Sequence, residues 1–315
     1  MANKRVWRLG ALVAVLGLLA GGNTAIANAD PGDPATVGRF EVAEDTETLE
    51  GYTVYRPADL SAVSFPLPIV SWVNGGCLRT GGAHVDVLRS IASAGFFVAM
   101  AGNSTHGAVG FLAEMAGSGE PDATWEDQQQ AIDLAIAEND DQDSDYYGRL
   151  DPSRIAAAGM SCGGGTSVVL ATQDERVDTV LSFDGGKDPA RTAQLSVPVA
   201  WLSAGDQPVE GVGDVDQLGW RSDAETRTLA AYDAVPDTSP AYVAVLEYAN
   251  HSNMTPDPAH QEQMAEIGVA WLDLTLNRHP VAKEYILGDP CGFCGPLPIW
   301  STHAKNWDGF QVHQD

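Results

Sequence analysis

IAAAGMSCGGG, residues 155–165, is the stretch of sequence that decides the fold. Residues 155–158 form a short apolar run that is typical of a buried strand, and small residues follow that fit a helix. Gly159 and Gly163 flank Ser161 in a Gly-x-Ser-x-Gly pattern. This pattern is typical of a tight strand-to-helix turn that exposes the serine hydroxyl above the sheet edge, and the glycines permit the crowded backbone. Ser161 is therefore a candidate nucleophile.

Short apolar segments alternate with helical segments along the rest of the chain. Strands that are apolar throughout fit a parallel sheet that is covered by helices on both faces. We therefore expect an α/β-hydrolase fold with a mostly parallel, doubly wound sheet. The predicted strands cover residues 51–56, 69–73, 96–101, 155–158, 177–183, 199–204 and 242–246, and the predicted helices cover residues 84–93, 125–138, 162–172, 222–234 and 260–276.

The expected catalytic domain covers residues 30–315 and ends in a cysteine-containing tail. No linker divides it. Lids in this fold often enter after the sixth strand of the fold, which corresponds to the predicted strand at residues 177–183. Only residues 184–198 separate it from the predicted strand at residues 199–204. That segment is too short for a large cap domain, so we expect an open cleft.

Residues 1–29 have the features of a secretory signal peptide. Lys4, Arg5 and Arg8 form a basic segment, and residues 9–20 are an apolar run too short to span a bilayer comfortably. The small-x-small pattern of a cleavage site occurs twice, over residues 25–27 and 27–29. We therefore expect a secreted protein with no membrane attachment once the signal is removed.

The chain is strongly acidic, with a formal net charge of -26, and hydrophobic residues make up 44% of it. The hydrophobic content predicts a packed core. Phosphate backbones would be repelled by such a surface, so nucleic acid is excluded as an expected partner. The acidity fits solubility or adaptation to salt water, where ions screen the self-repulsion. We expect a monomer.

A serine nucleophile needs a base within hydrogen-bond reach, and the base needs a carboxylate that holds its tautomer. This fold supplies them in the chain order serine, acid, histidine, each after a strand. His251 follows the strand at residues 242–246, and Asp206 follows the strand at residues 199–204. Asp184, which ends the strand at residues 177–183, is the alternative acid. Asp206 is favoured because it opens a long loop that can turn toward His251.

The negative charge that develops on the substrate carbonyl needs backbone N–H donors. One should be the N–H of Cys162, directly after the nucleophile, and the other should come from the loop Asn74-Gly75-Gly76-Cys77. The candidate substrate-binding residues are therefore Gly76, Cys77, Met160 and Cys162.

Several sequence blocks resemble the bacterial cutinase-like polyester hydrolases, which include the PET hydrolases. The blocks are residues 102–105, 147–151, 159–165 and 268–272, and the similarity runs from about Gly51 to Gly288. The resemblance implies Ser161, Asp206 and His251 as the triad and Cys77 and Cys162 as oxyanion donors. It also implies hydrolysis of short-chain esters, lipids or polyesters without a cofactor.

The chain departs from that family at four places around the expected site. Cys77 replaces an aromatic residue of the oxyanion loop, Met160 replaces Trp or His, and Cys162 replaces Met. Residues 184–186 replace an aromatic platform. These changes leave ester hydrolysis intact but remove the family's aromatic clamp. A weaker similarity to chlorophyllase-like and dienelactone hydrolase-like enzymes leaves the substrate open. A peptidase or a non-catalytic binding protein of the same fold is the alternative.

The chain has four cysteines, an even number that permits disulfides in a secreted protein. Two amide donors that point at one oxygen bring the Cα atoms of Cys77 and Cys162 within the roughly 4.4–6.8 Å that a disulfide needs. We therefore hypothesise a Cys77–Cys162 bridge, with Cys291 and Cys294 paired in the tail. We expect no metal: no second ligand pair accompanies the tail cysteines, and the acidic run at residues 138–145 lacks calcium-loop spacing.

Overall fold

The computed structural model describes residues 33–80, 82, 84–104, 121–205, 223–246, 251, 258–294 and 300–313. The strands in these ranges are β1 (Val42–Asp45), β2 (Tyr52–Pro57), β3 (Leu67–Val73), β4 (Phe97–Ala101), β5 (Leu150–Met160), β6 (Thr179–Phe183), β7 (Val199–Ala204), β8 (Ala241–Leu246) and β9 (Trp300–Lys305). The helices are α1 (Val85–Ser93), α2 (Trp125–Asp140), α3 (Cys162–Gln173), α4 (Pro189–Thr192), α5 (Ala224–Ala234), α6 (Pro258–Thr275) and α7 (Pro280–Leu287). Short 3-10 turns lie at Leu60–Ala62 and Gly75–Cys77.

All nine strands form one sheet in the order β1-β2-β4-β3-β5-β6-β7-β8-β9. The strands from β4 to β8 in this order pair in parallel, whereas β1 and β2 at one edge and β9 at the other are antiparallel. Parallel pairing brings the carboxyl ends of β3, β5, β6, β7 and β8 to one edge of the sheet. The predicted α/β-hydrolase fold is confirmed.

The sheet separates two hydrophobic core layers. Side chains alternate across β3, so that Val70 and Trp72 pack with α1 and α6 on one face, while Ile69 and Val73 pack with α2 and α3 on the other. All seven β3 side chains are buried. The continuous apolar character of the central strands follows from this cover on both faces.

A buried glutamine fixes the nucleophile strand to its surroundings. The Gln128 side-chain amide, on α2, donates to Ser71 O at 3.2 Å on β3, to Ala158 O at 3.0 Å on β5, and to Ser167 Oγ at 2.9 Å on α3. In return, Ser71 Oγ donates to Gln128 O at 2.9 Å. One side chain thus ties four elements together directly beneath the turn that carries Ser161.

The central elements lie close to their predicted positions, and the edges were missed. β7 covers the predicted residues 199–204, and α2 begins at the predicted Trp125. β1, β9 and α7 were not predicted, because antiparallel edge strands and a short terminal helix lack the continuous apolar pattern of the central elements. No helix in the described ranges is both long and apolar enough to cross a membrane.

One histidine lies inside the core without a hydrogen bond. His84 precedes α1, is 5% exposed, and packs against Trp72 with ring centroids 5.7 Å apart. Neither ring nitrogen has a hydrogen-bond partner among the described residues. Burial, with a smaller contribution from the charge of His251, lowers the pKa of His84 from 6.5 to about 4. The ring is therefore neutral at neutral pH.

His84 should make the fold sensitive to mild acid. In the unfolded chain this ring is protonated below pH 6.5, whereas in the folded chain it is protonated only below about pH 4. The free energy of unfolding is therefore unaffected by this ring above pH 6.5 and falls as the pH drops toward 4. By linkage the loss at pH 4.5 is about 2–3 kcal/mol. We expect His84→Phe to lose less stability than wild type between pH 7 and pH 4.5 in urea unfolding. The exposed His313→Gln is the control, and an equal loss in wild type and His84→Phe contradicts the prediction.

Candidate active site

Ser161 occupies the sharp turn between β5 and α3, with the strained backbone angle φ 53°. The two motif glycines make this turn fit against the end of β3. A Cβ atom on Gly163 would lie 1.9 Å from Val73 O, and one on Gly159 would lie 2.7 Å from the same oxygen. No side chain fits at either place, so the backbone of β3 dictates the Gly-x-Ser-x-Gly pattern.

The loop after β6 packs on the same turn. Ser161 N donates to Phe183 O at 2.8 Å, and a Cβ on Gly185 would lie 2.0 Å from Ser161 O. Gly186 lies equally close to α3, where a Cβ would be 2.7 Å from Gly164 O. Asp184 itself has φ 49°. The two glycines allow this loop to approach the nucleophile turn, and the approach aims the Asp184 carboxylate along the sheet edge.

His251 meets the carboxylate of Asp184. The His251 Nδ1 atom lies 2.5 Å from Asp184 Oδ2, and the two side chains are 30% and 0% exposed. The sequence favours Asp206 for this position, with Asp184 as the alternative. The contact that the structure describes is made by Asp184, which the Gly185-Gly186 turn keeps at the edge shared by the neighbouring parallel strands β6 and β7. Asp206 lies outside the described residues.

The other oxygen of Asp184 is held by three donors. Lys187 Nζ, Ser203 Oγ at 3.0 Å and Ala204 N at 3.2 Å all contact Oδ1. Burial raises the pKa of Asp184, but the Lys187 charge and the hydrogen bond with His251 outweigh it and lower this pKa to about 2. The carboxylate is therefore ionised and fully hydrogen bonded. Lys187 was not predicted from the sequence. The available signal was its position three residues after Asp184, an acid that follows a strand.

A disulfide joins the two loops of the predicted oxyanion hole. Cys77 and Cys162 are bonded with their Cα atoms 5.2 Å apart, and Cys291 is bonded to Cys294. Both hypothesised pairings are confirmed. Cys162 is the first residue of α3, and its N–H has no hydrogen-bond acceptor among the described residues. The Cys77 N–H, in contrast, donates to Asn74 O at 3.2 Å within the 3-10 turn.

The remaining predicted substrate-binding residues fall into different environments. Gly76 lies in the turn before Cys77 with φ 64°, next to the disulfide. Met160 is 3% exposed and belongs to the core, so the expected contact of its side chain with substrate is not supported. Met160 lies at the site through its backbone, because it directly precedes Ser161.

A cleft of about 380 Å³ includes Cys162 among its lining residues. Its walls come from the start of α2, from one side of α3 and from the loop after β6. The lining residues include Trp125, Cys162, Thr166, Val169, Gly186 and Arg191. The segment between β6 and β7 carries only the four-residue α4, as expected from its length, so no cap enters here.

Two further features bear on the chemistry of the site. Among the described residues, no hydrogen bond joins Ser161 Oγ to His251, although such contacts are often long in the absence of substrate and shorten when it binds. No group of three or more His, Cys, Asp or Glu side chains in the described ranges could hold a metal ion. The side chains in place fit proton transfer and nucleophilic attack.

A family model described as PETase, PET hydrolase-like, matches residues 32–287. The chain belongs to the PET hydrolase-like family. No curated protein matches the sequence significantly. Membership of the PET hydrolase-like family makes the chain a hydrolase of ester or polyester substrates.

The disulfide at the oxyanion loops should matter more for turnover than for folding. Mild reductant, or the pair Cys77→Ala and Cys162→Ala, frees the loops that carry the N–H donors. We expect kcat for ester hydrolysis to fall about tenfold or more, since one misplaced donor alone can cost 10²–10³-fold. The melting temperature should change much less. The control is Cys291→Ser with Cys294→Ser, which removes only the tail bridge. A lowered melting temperature at unchanged kcat, in the reduced protein or in the Cys77→Ala, Cys162→Ala variant, contradicts the prediction.

Proposed function

We propose that the chain is a secreted serine esterase that hydrolyses carboxylic esters through an acyl-serine intermediate. Ser161 is the nucleophile, His251 the general base and Asp184 the acid that orients it. The observation that carries this proposal is the hydrogen bond between His251 Nδ1 and Asp184 Oδ2, 2.5 Å long, at the sheet edge where Ser161 lies half-buried on its turn.

In the proposed reaction His251 removes the Ser161 proton as Oγ attacks the ester carbonyl carbon. The imidazolium then gives that proton to the leaving alcohol, which departs as the acyl-serine forms. Water attacks the acyl-serine with His251 again as the base, and the carboxylic acid leaves as Ser161 regains its proton. Asp184 remains ionised throughout and holds His251 by Nδ1, so that the other ring nitrogen faces Ser161.

The proposed oxyanion hole uses the N–H of Cys162 and an N–H of the Gly75–Cys77 turn. Cys162 contributes the better supported donor, because its N–H lies at the start of α3 and next to the nucleophile. The Cys77 N–H would have to be shared between Asn74 O and the oxyanion. The disulfide supports this arrangement by fixing the two loops before substrate arrives.

The proposed substrates are esters with an apolar acyl or alcohol portion, such as short-chain esters, lipids or aliphatic polyesters. The cleft at Cys162 supports this, because Trp125 and Val169 give it apolar walls and Gly186 takes no space where the family's aromatic platform is expected. The absence of a cap between β6 and β7 suits bulky esters. Secretion is proposed from residues 1–29 and agrees with the two disulfides.

A fluorophosphonate probe tests the nucleophile and separates an enzyme from a non-catalytic binding protein. We expect one equivalent of label on wild type at Ser161, and no label and at least about a thousandfold lower kcat in Ser161→Ala. A panel of p-nitrophenyl esters of increasing acyl length, beside a matched anilide, separates esterase from peptidase activity. Wild-type turnover by Ser161→Ala, or preference for the anilide, overturns the proposal.

Asparagine substitutions at the two candidate acids identify the one that acts on His251. We expect Asp184→Asn to lower kcat by about 10³–10⁴-fold, because an amide at this position favours the wrong tautomer of the base. The matched change Asp206→Asn should keep kcat within about tenfold, because Asp206 has no part in the proposed proton transfer when Asp184 is the acid. The reverse order of effects, at unchanged melting temperature, would assign the acid to Asp206.

A further inference from the structure

We propose that Lys187 is a positioning residue of the catalytic triad that extends the reaction to lower pH. Its ammonium group locks one oxygen of Asp184, and its charge offsets the charge of the carboxylate that faces His251. The inference rests on the proposed function, because it concerns the base and the acid assigned there. Lys187 is a buried cation that takes no part in the proposed proton transfers.

The Lys187 side chain is 6% exposed, and its ammonium group is fully engaged. It contacts Asp184 Oδ1 and donates to Ala224 O at 3.1 Å and to Ser203 Oγ at 3.3 Å. An ammonium group has three protons, so these three acceptors satisfy it. The contacts join the loop after β6 to β7 and to the start of α5.

The two oxygens of the Asp184 carboxylate therefore have separate tasks. Oδ1 receives Lys187 together with the donors from Ser203 and Ala204, and Oδ2 is left for His251. A carboxylate held in this way cannot rotate about its χ2 bond without losing several hydrogen bonds. The position of the His251 ring is fixed through that carboxylate rather than by a direct contact with Lys187.

The charge of Lys187 acts on the protonation of His251. A buried carboxylate alone favours the charged imidazolium, whereas the pair of Asp184 and Lys187 has no net charge. The Lys187 ammonium group and a protonated His251 ring would contact different oxygens of the same carboxylate. Ordinary hydrogen-bond lengths put the two charges about 6 Å from each other. Removal of the Lys187 charge would leave the charge of the carboxylate facing His251 uncompensated, and this stabilises the imidazolium relative to the neutral ring.

The other titratable groups nearby do not reproduce this effect. His84 is buried, and burial lowers its pKa to about 4, so it is neutral where the enzyme works. Asp223 and Glu225 flank Ala224 at the start of α5 and have other interactions of their own. Asp188, next to Lys187, is exposed and accepts a hydrogen bond from Ala190 N at 2.9 Å. Among the described residues, Lys187 is the one cation in contact with the triad carboxylate.

The test is the pH profile of kcat/KM on p-nitrophenyl acetate for Lys187→Met, which keeps the length of the side chain and removes its charge. Without the cation, the uncompensated carboxylate favours the imidazolium, so the acid limb of the profile should move to higher pH. Lys187→Arg retains the charge and should restore the wild-type limb. Lys283→Met, on α7, is the matched control for the loss of one lysine.

Unchanged acid limbs in a folded Lys187→Met would overturn the proposal, because a merely structural lysine lowers stability without moving the limb. If Lys187→Met does not fold, Lys187→Gln takes its place, because it keeps a donor for Asp184 without the charge. Its acid limb in the same kcat/KM profile is then compared with that of the wild type. Failure of the proposed function is separate, since it would show as absent fluorophosphonate labelling of wild type. If the wild type is labelled and active, but the acid limb of the pH profile does not move in Lys187→Met or Lys187→Gln, only the role of Lys187 is rejected.

Discussion

The contact between the backbone of β3 and the turn at Ser161 is the constraint on which the rest of the site depends. Val73 O lies where a side chain on Gly159 or Gly163 would be, and Ser161 O lies where one on Gly185 would be. Three backbone segments from β3, β5 and β6 thus meet without side chains between them. This close approach gathers the proposed nucleophile, the proposed acid and the disulfide-linked loops at one edge of the parallel sheet.

Such close packing also leaves little water near the acid, and this creates an electrostatic problem. A fully buried carboxylate tends to become protonated, and a protonated acid could not orient His251 as an acceptor. The fold meets this with Lys187, Ser203 and the N–H of Ala204, so that the pKa of Asp184 is lowered to about 2 despite burial. The need for dense packing at the nucleophile and the need for a buried cation are therefore linked.

The sequence predicted the parts of the structure that depend on local pattern. The central strands, the turn at Ser161 and the histidine after β8 follow from apolar runs and glycines at fixed spacing, and the disulfide follows from the requirement that two donors meet. The choice between Asp184 and Asp206 does not, because both residues follow neighbouring parallel strands. It depends on which loop turns toward His251, and hence on contacts of Gly185 and Lys187 with residues distant in sequence. The edge strand β9 was missed for a similar reason, since its residues alternate in a tail without an apolar run.

Three of the four departures from the family pattern, at Cys77, Cys162 and residues 184–186, form one consistent change. The aromatic residue of the oxyanion loop and the methionine after the nucleophile are replaced together by Cys77 and Cys162, whose bond holds the loops that those side chains would otherwise cover. The aromatic platform after β6 is replaced by residues 184–186, whose small size allows Asp184 to reach His251. A bulky ring at Gly185 would collide with Ser161 O and exclude this acid. Apolar recognition is left to Trp125 and Val169 along the cleft, so in the proposed enzyme the residues that select the substrate are separate from those that hold the catalytic groups.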